Sequence, residues 1–338
     1  MRLLFIKLKH IGDLLLLTPT LAAVKAAQPD AEITVLARRG TEAILAGCPQ
    51  VDHLRTGPAP ETDRRGPGQL RQSLHLLRDL RAQPFDHVFE LGDNDRGRWL
   101  SLLSGARERT TVGWNSRLGP LWRAQFQHLP NYNWWITHRV EKDFHTVAAV
   151  LPIGLEPGPL VFDRSRWETP PHAPAEPFAV LHPATRWRQK EWPADRWVAV
   201  GRHLVGRGLR LIISSGPDAA EVSTAGTIAR GIGGDAQPTG GQLTWTQMAG
   251  LIGRAKLFAG VDTAAMHLAA ACQTPTVGIF GPSIDWQWSP WKCPHRVCAP
   301  PAPPADLEPV RRMQLAELRD IGAVATDAVI GACEELLS

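Results

Sequence analysis

The chain has 338 residues, 43% of them apolar and 21% charged, with a formal net charge of +4. That length fits two domains rather than one, and the composition excludes disordered and fibrous classes. The small net charge argues against a bulk nucleic-acid binder, and no run reaches the ~18 apolar residues that a membrane-spanning helix needs.

The opening Arg2-Leu-Leu-Phe-Ile-Lys-Leu8 reads as a buried strand. Its apolar run is broken at Lys7 and Lys9, too early for the apolar core of a signal peptide. Helical spacing follows over 14–27, a strand over 31–37, a helix over 40–47 and a short strand at 53–55. Residues 56–68 are rich in Gly, Pro and Arg and read as a loop; 69–82 is helical, and 86–91 is another strand. The Pro-rich stretch 157–177 carries little periodicity and reads as a linker.

The pattern then restarts. Strands are expected at 178–182, 209–214, 257–261 and 276–280, with helices at 193–207, 218–230, 244–253, 264–272 and 313–337. Strands alternating with helices imply parallel sheets. The expected architecture is two facing Rossmann-like, doubly wound α/β domains with a cleft between them. Their boundaries are set at 1–165 and 178–320, with a linker at 166–177. The terminal helix, 321–338, is placed to pack back on the first domain. Ligands of such sheets bind beyond the carboxyl ends of the strands. The five cysteines (Cys48, Cys272, Cys293, Cys298, Cys333) are odd in number and scattered, which favours a reduced, cytosolic setting.

Four constellations carry chemistry. In Lys7-Leu-Lys9-His10-Ile-Gly12-Asp13 the glycine permits a tight turn, and Asp13 is either a helix cap or a general base. Lys7 and Lys9 then hold an anionic acceptor. No Gly-x-Gly-x-x-Gly fingerprint is present here, which disfavours a dehydrogenase. In His182-Pro-Ala-Thr185-Arg186-Trp-Arg-Gln-Lys190, a hydroxyl and cations suit a diphosphate, against the alternative of a solvated basic loop. In Ser214-Ser-Gly-Pro-Asp-Ala-Ala-Glu221, the glutamate takes ribose hydroxyls or is an exposed helix residue. In Gly260-Val-Asp262-Thr263-Ala264-Ala-Met-His267, a strand delivers a carboxylate and a hydroxyl to a helix start, where free N–H groups attract anions. Asp93-Asn94-Asp95 looks like a metal-binding acidic pair, but three residues are weak ground for one. No metal is expected, since the basic groups can neutralise a diphosphate.

These motifs, in this order, resemble bacterial lipopolysaccharide heptosyltransferases, glycosyltransferase family nine. The resemblance rests on Lys7-x-Lys9-His10-x-Gly12-Asp13 with Thr18-Pro19, on His182 to Pro193, and on Gly260 to His267 with Phe280-Gly-Pro-Ser283. The Lys-His opening, Gly92-Asp93 with Arg96-Gly97, and Thr185-Arg-Trp are most similar to the heptosyltransferase III branch, which adds a side heptose to an inner-core heptose. The resemblance implies a GT-B fold and an inverting transfer from ADP-L-glycero-D-manno-heptose, without a cofactor.

It also implies roles. Asp13 is the base; Thr185, Arg186, Lys190 and the N–H groups at Thr263-Ala264 hold the diphosphate. Glu221 takes the ribose and Asp262 the heptose hydroxyls. His267 supports the turn or the phosphates, or is a structural histidine. The acceptor, an acidic glycolipid on the inner face of the cytoplasmic membrane, is expected to meet Lys7, Lys9, His10, Arg64, Arg65, Arg71, Arg117 and Arg123. Asn131-Tyr-Asn-Trp-Trp-Ile136, with Arg139 and Lys142, rests at a membrane interface or forms a buried aromatic cluster. Two departures stand out: Ala264 replaces a glycine common among relatives, and loop 292–309 matches nothing in the family. Another nucleotide-sugar donor, or a non-catalytic nucleotide-binding scaffold, are the competing readings. Retention of Asp13 and Lys190 argues against the scaffold.

Overall fold

The computed structural model describes residues 1–57, 67–82, 84–113, 118–170 and 173–338. They divide into two compact units, Met1–Val161 and Phe162–Ser338.

The first unit holds a five-stranded sheet. Its strands are β1 (Arg2–Lys7), β2 (Glu32–Arg38), β3 (His53–Gly57), β4 (His87–Glu90) and β5 (Glu108–Thr111). They run parallel in the order β3-β2-β1-β4-β5. A parallel sheet covered on both faces needs strands that are apolar throughout rather than alternating. Leu3, Leu4, Phe5 and Ile6 meet that need and are fully buried. The chain moves outward from β1 to β3, then returns to β4 on the other side of β1. The switch point between β1 and β4 is where such a sheet opens a crevice.

The second unit holds six parallel strands: β6 (Phe178–His182), β7 (Arg210–Ile213), β8 (Ala236–Pro238), β9 (Leu257–Val261), β10 (Thr276–Ile279) and β11 (His295–Cys298). Their order, β11-β10-β9-β6-β7-β8, puts the switch point between β6 and β9. The core packs Trp197, Leu204, Leu211, Ile228 and Val277 around the strands. Truncating one such leucine to alanine costs about 2–5 kcal/mol.

Several expectations are corrected. The helix expected over 14–27 is two helices, Ile11–Leu16 and Thr18–Ala27, meeting at Leu17. Pro19 lacks an N–H and so belongs in a first turn, which restarts the helix there. The 40–47 helix shrinks to a single 3₁₀ turn, Glu42–Ile44, between Gly40 and Gly47, both at positive φ. From residue 162 on, the described part of the stretch taken as a linker belongs to the second unit. There the Glu168 N–H donates to the Thr246 carbonyl at 3.1 Å, and the Trp167 ring fills the space beside Gly253.

The terminal helix, Thr326–Leu337, also belongs to the second unit rather than returning to the first. Val329, Ala332 and Cys333 join its core, and Glu334 meets His203 at 2.6 Å. Unforeseen elements are the helices Asp95–Leu103 and Arg139–Ala148 and the strands β5, β8 and β11. Strands β8 and β11 are sheet edges, the one place a strand tolerates Pro238. Among the described residues, none of the five cysteines is in a disulfide. Among the described residues, no helix is long and apolar enough to cross a membrane.

Candidate active site

In the second unit the register brings four strand ends to one level. His182 of β6 pairs with Gly260 of β9, Val261 with Ile279 of β10, and Leu181 with Ile213 of β7. The loops that leave these ends therefore share one edge of the sheet.

From β6 comes Thr185, buried, its hydroxyl accepting from the Trp187 N–H at 3.3 Å. The 3₁₀ turn Arg188–Lys190 follows and aims Lys190 across the switch point. Its ammonium donates to Asp262 Oδ2 at 2.7 Å. His267 Nε2 lies 4.0 Å from the other oxygen of Asp262. Thr263 is the N-cap of the helix Ala264–Ala271, yet its side chain makes no cap hydrogen bond. Among the described residues its hydroxyl is buried without a partner, as are those of Ser215 after β7 and Ser283 after β10. A buried hydroxyl left unpaired costs roughly 1–3 kcal/mol. Thr263 stands at a helix start whose first-turn N–H groups attract anions, and Ser215 lies on the loop that leaves β7.

Glu221 is neither exposed nor idle. Its carboxylate reaches back to accept the Gly216 N–H at 2.9 Å, and a Cβ on residue 216 would collide with that carboxylate. Glu221 is thus held at the mouth of the β7 loop with acceptor capacity to spare. His182 is a different matter. Burial pushes its pKa down to about 4, and Nδ1 pairs with Ser214 Oγ at 2.9 Å. It is a satisfied neutral core histidine. Arg186 is exposed.

In the first unit the loop after β1 carries Lys9 and His10 into the helix Ile11–Leu16. His10 is the N-cap, and Asp13, in the first turn, accepts the His10 N–H at 3.2 Å. Asp13 is half-buried rather than closed off. Lys7 corrects an expectation: it is buried and donates to Asp143 Oδ2 at 2.6 Å. Its ammonium is committed inside the unit, so it is a structural cation more than a free acceptor ligand. Across the switch point Glu90 accepts from the Gly92 N–H at 3.0 Å and from Thr111 Oγ1 at 2.9 Å. Burial pushes its pKa up to about 6, against the pull of the Thr111 hydrogen bond.

Asp93, at a positive φ of 50°, and Asp95 grip Arg98 at 2.5 and 2.9 Å, while Asn94 caps the helix by accepting the Gly97 N–H. The acidic triplet is therefore a cap and an ion-pair clamp. The aromatic segment is half-buried between Asn131 and Ile136, which are exposed. The Trp134 ring lies under Arg139 at 4.4 Å and under Lys142 at 4.8 Å, and Tyr132 meets His145 at 4.4 Å. Of the expected acceptor contacts, Arg71 and Arg123 are exposed, and Arg64, Arg65 and Arg117 lie outside the described residues.

Sequence reasoning missed Glu90 and Asp143, gave no role of their own to Ser215 and Ser283, and placed Lys142 only with the aromatic segment. The pair of serines after an apolar strand was a usable signal for Ser215. So was the placement of Asp143 three residues after Val140 and four before Val147, on the buried stripe of its helix.

Two doubly wound parallel units, each with polar groups gathered at its switch point, define the two-domain α/β architecture of GT-B glycosyltransferases. The E. coli heptosyltransferase WaaC, solved with ADP, shares it at a TM-score of 0.81 and 19% identity, covering 99% of this chain and 100% of that one. The family 9 glycosyl transferase from Veillonella parvula DSM 2008 gives 0.81 at 18% identity, over 99% and 97% of the two chains. At such identities the likeness speaks for the fold.

The chain belongs to glycosyltransferase family 9 (heptosyltransferase), whose model matches residues 73–308. It is 29% identical over 292 residues to a lipopolysaccharide heptosyltransferase 3 of Escherichia coli, covering 83% of each chain. It is 26% identical to lipopolysaccharide heptosyltransferase 1 of Pseudomonas aeruginosa, over 84% of this chain and 79% of that one.

Proposed function

We propose that this glycosyltransferase moves L-glycero-D-manno-heptose from ADP-heptose to a heptose of the lipopolysaccharide inner core, with inversion. The observation that carries the reading is the Lys190–Asp262 pair set beside the uncapped helix start at Thr263-Ala264. An ammonium, free N–H groups and unpaired hydroxyls are what a departing diphosphate needs. The solved WaaC complexes with ADP and with ADP-2-deoxy-2-fluoro heptose make ADP-heptose the first donor to try.

Asp13 takes the proton of the acceptor hydroxyl as that oxygen bonds to the anomeric carbon. The bond from that carbon to the diphosphate oxygen breaks, and ADP leaves with the electron pair. Base catalysis of this kind supplies ~100- to 10,000-fold. Thr185 and Lys190, with Arg186 from the exposed side, hold the diphosphate as its charge grows. Glu221 receives ribose hydroxyls and Asp262 those of the heptose. Ala264 keeps the backbone N–H that does the binding at that position. Lys9, His10 and Arg123 serve the acidic acceptor, and the enzyme works at the cytoplasmic face of the inner membrane by peripheral contact. No cofactor or metal is assigned.

The test is turnover with purified truncated core glycolipids, screening ADP-heptose against UDP- and GDP-sugars. Heptose incorporation with stoichiometric ADP release is expected. Transfer only from a UDP- or GDP-sugar overturns the donor assignment, and absence of any transfer favours a binding scaffold.

A further inference from the structure

Lys142 is an anomaly of the first unit. Its side chain is about nineteen-twentieths buried, at 5% relative exposure. Its ammonium has three donors, yet it meets no hydrogen-bond acceptor and no carboxylate within ion-pair distance among the described residues. Its one ring contact is Trp134, at 4.8 Å. A buried ammonium in that condition is costly, because a buried charge is normally paired.

Its surroundings make the cost plain. The neighbouring cations are Lys7 and Arg139; the neighbouring carboxylates are Asp93, Asp143 and Glu90. Two of those carboxylates are engaged elsewhere, Asp143 by Lys7 and Asp93 by Arg98. Glu90 is tied to Gly92 and Thr111. Burial first, then repulsion from Lys7 and Arg139, pushes the Lys142 pKa down to about 8. The cations and carboxylates named balance in number, yet none of these carboxylates reaches the Lys142 ammonium, so among the described residues it is left without a direct acceptor.

Its place in the fold matters equally. Lys7 ends β1 and Glu90 ends β4, so the cluster sits at the carboxyl edge of the switch point. That is where an open parallel sheet receives its ligand. Asp13 lies on the turn that leaves the same strand end.

We propose that Lys142, backed by Trp134, is an anion subsite for an acidic group, phosphoryl or carboxylate, of the acceptor glycolipid. The proposal rests on the heptosyl-transfer reading. Binding the acid there supplies the missing acceptors to the ammonium and orients the acceptor hydroxyl toward Asp13. Lys142 is a specificity-determining residue and takes no part in proton transfer.

The experiment is steady-state transfer by the full chain with Lys142→Met, which keeps the aliphatic stem and removes a poorly solvated charge. Loss of one charge-assisted contact raises the acceptor KM by about 10- to 100-fold. The donor KM is expected to stay within about 2-fold and kcat within about 3-fold, the precision of a remote contact. Two further acceptors, one stripped of phosphate and one with its carboxyls amidated, identify the acid. With the right group removed, wild type and variant should converge.

A penalty that persists on both modified acceptors, falls on the donor KM, or is absent on the intact acceptor overturns the proposal. Should Lys142→Met not fold, wild type decides. Its acceptor KM must rise at least about tenfold on one modified acceptor, and Lys142→Arg, which keeps the charge, must retain that discrimination. Failure of wild type to use ADP-heptose at all would strike the functional reading instead.

Discussion

The two switch points are built from similar strands and spend their polar groups in opposite ways. Around the β6–β9 end, the hydroxyls of Thr263 and, on the loop after β7, of Ser215 lie buried without a hydrogen-bond partner among the described residues, and the helix start at Thr263 lacks a side-chain cap. At the β1–β4 end, carboxylates and cations are locked together before any ligand arrives, as Lys7 with Asp143 and Arg98 with Asp93. On the proposed reading, the second unit is preorganised as a set of donors for charge that develops during reaction. The first is preorganised as a rigid frame, in which a single misplaced proton or charge is expensive. A nucleotide is much the same whatever the acceptor, so a site of backbone N–H groups and hydroxyls suffices for it. An acceptor hydroxyl must be held against one carboxylate, and that calls for stiffness.

The widest break between the two ends is expected at Asp13. Asp13→Ala should lower turnover by ~100- to 10,000-fold while leaving ADP affinity nearly intact, because the base is separate from the donor loops. Calorimetric ADP titration beside a transfer assay checks this, and unchanged turnover removes Asp13 from the mechanism. Next comes Lys190→Met, which on the proposed reading strips a cation from the diphosphate and, among the described residues, leaves Asp262 with His267 at 4.0 Å. A loss of roughly 100-fold in kcat/KM is expected, with weaker ADP binding as well. An effect on the acceptor KM alone would reverse the contrast.

The frame itself is tested by stability. Asp143→Asn leaves the Lys7 ammonium buried and unpaired, and should cost about 3–5 kcal/mol in urea unfolding. The double change Lys7→Met with Asp143→Leu should recover most of that, whereas equal losses in single and double variants would deny the coupling.

The smallest effect lies in acid. His182 is neutral in the folded state with its pKa down at about 4, so its contribution is whole above the unfolded value of 6.5 and is lost as pH falls from there toward 4. Glu90 runs the other way. Its raised pKa of about 6 favours folding below 4.5, and that share is lost as pH rises through 6. Replacing His182 with Gln should therefore flatten the fall in stability between pH 6.5 and 4 by up to about 3 kcal/mol. A wild-type slope retained by the variant would assign acid lability elsewhere.

Much of this was readable in the residues. Strand β9 ends where its apolar run ends, and Gly260-Val-Asp-Thr announced a polar turn before a helix. Asp13, Lys190, Glu221 and Asp262 were named from strand–turn–helix patterns; Asp262 directly follows β9, while Asp13 and Glu221 lie in the first turns of the helices after β1 and β7. What escaped was long-range. No local pattern links Lys7 to Asp143 across the chain, and a lysine that looks solvated in sequence turns out to be buried under its neighbours. Edge strands escaped for the opposite reason: β8 and β11 are held mostly by their neighbours, so short sequences with Pro beside them gave no periodic signal. The Pro- and Cys-rich loop thereby hides a strand.

The Lys190–Asp262 pair has one more consequence. An ammonium already satisfied by a carboxylate gains less from a passing anion than a bare one would. Inorganic phosphate, or a nucleotide with the wrong sugar, must displace Asp262 and gives that carboxylate nothing in return. A donor whose sugar offers hydroxyls to Asp262 compensates both partners in the same event. If Lys190 holds the diphosphate and Asp262 the sugar, as proposed, the pair is a two-key lock, opening for diphosphate and sugar together and staying shut to either alone.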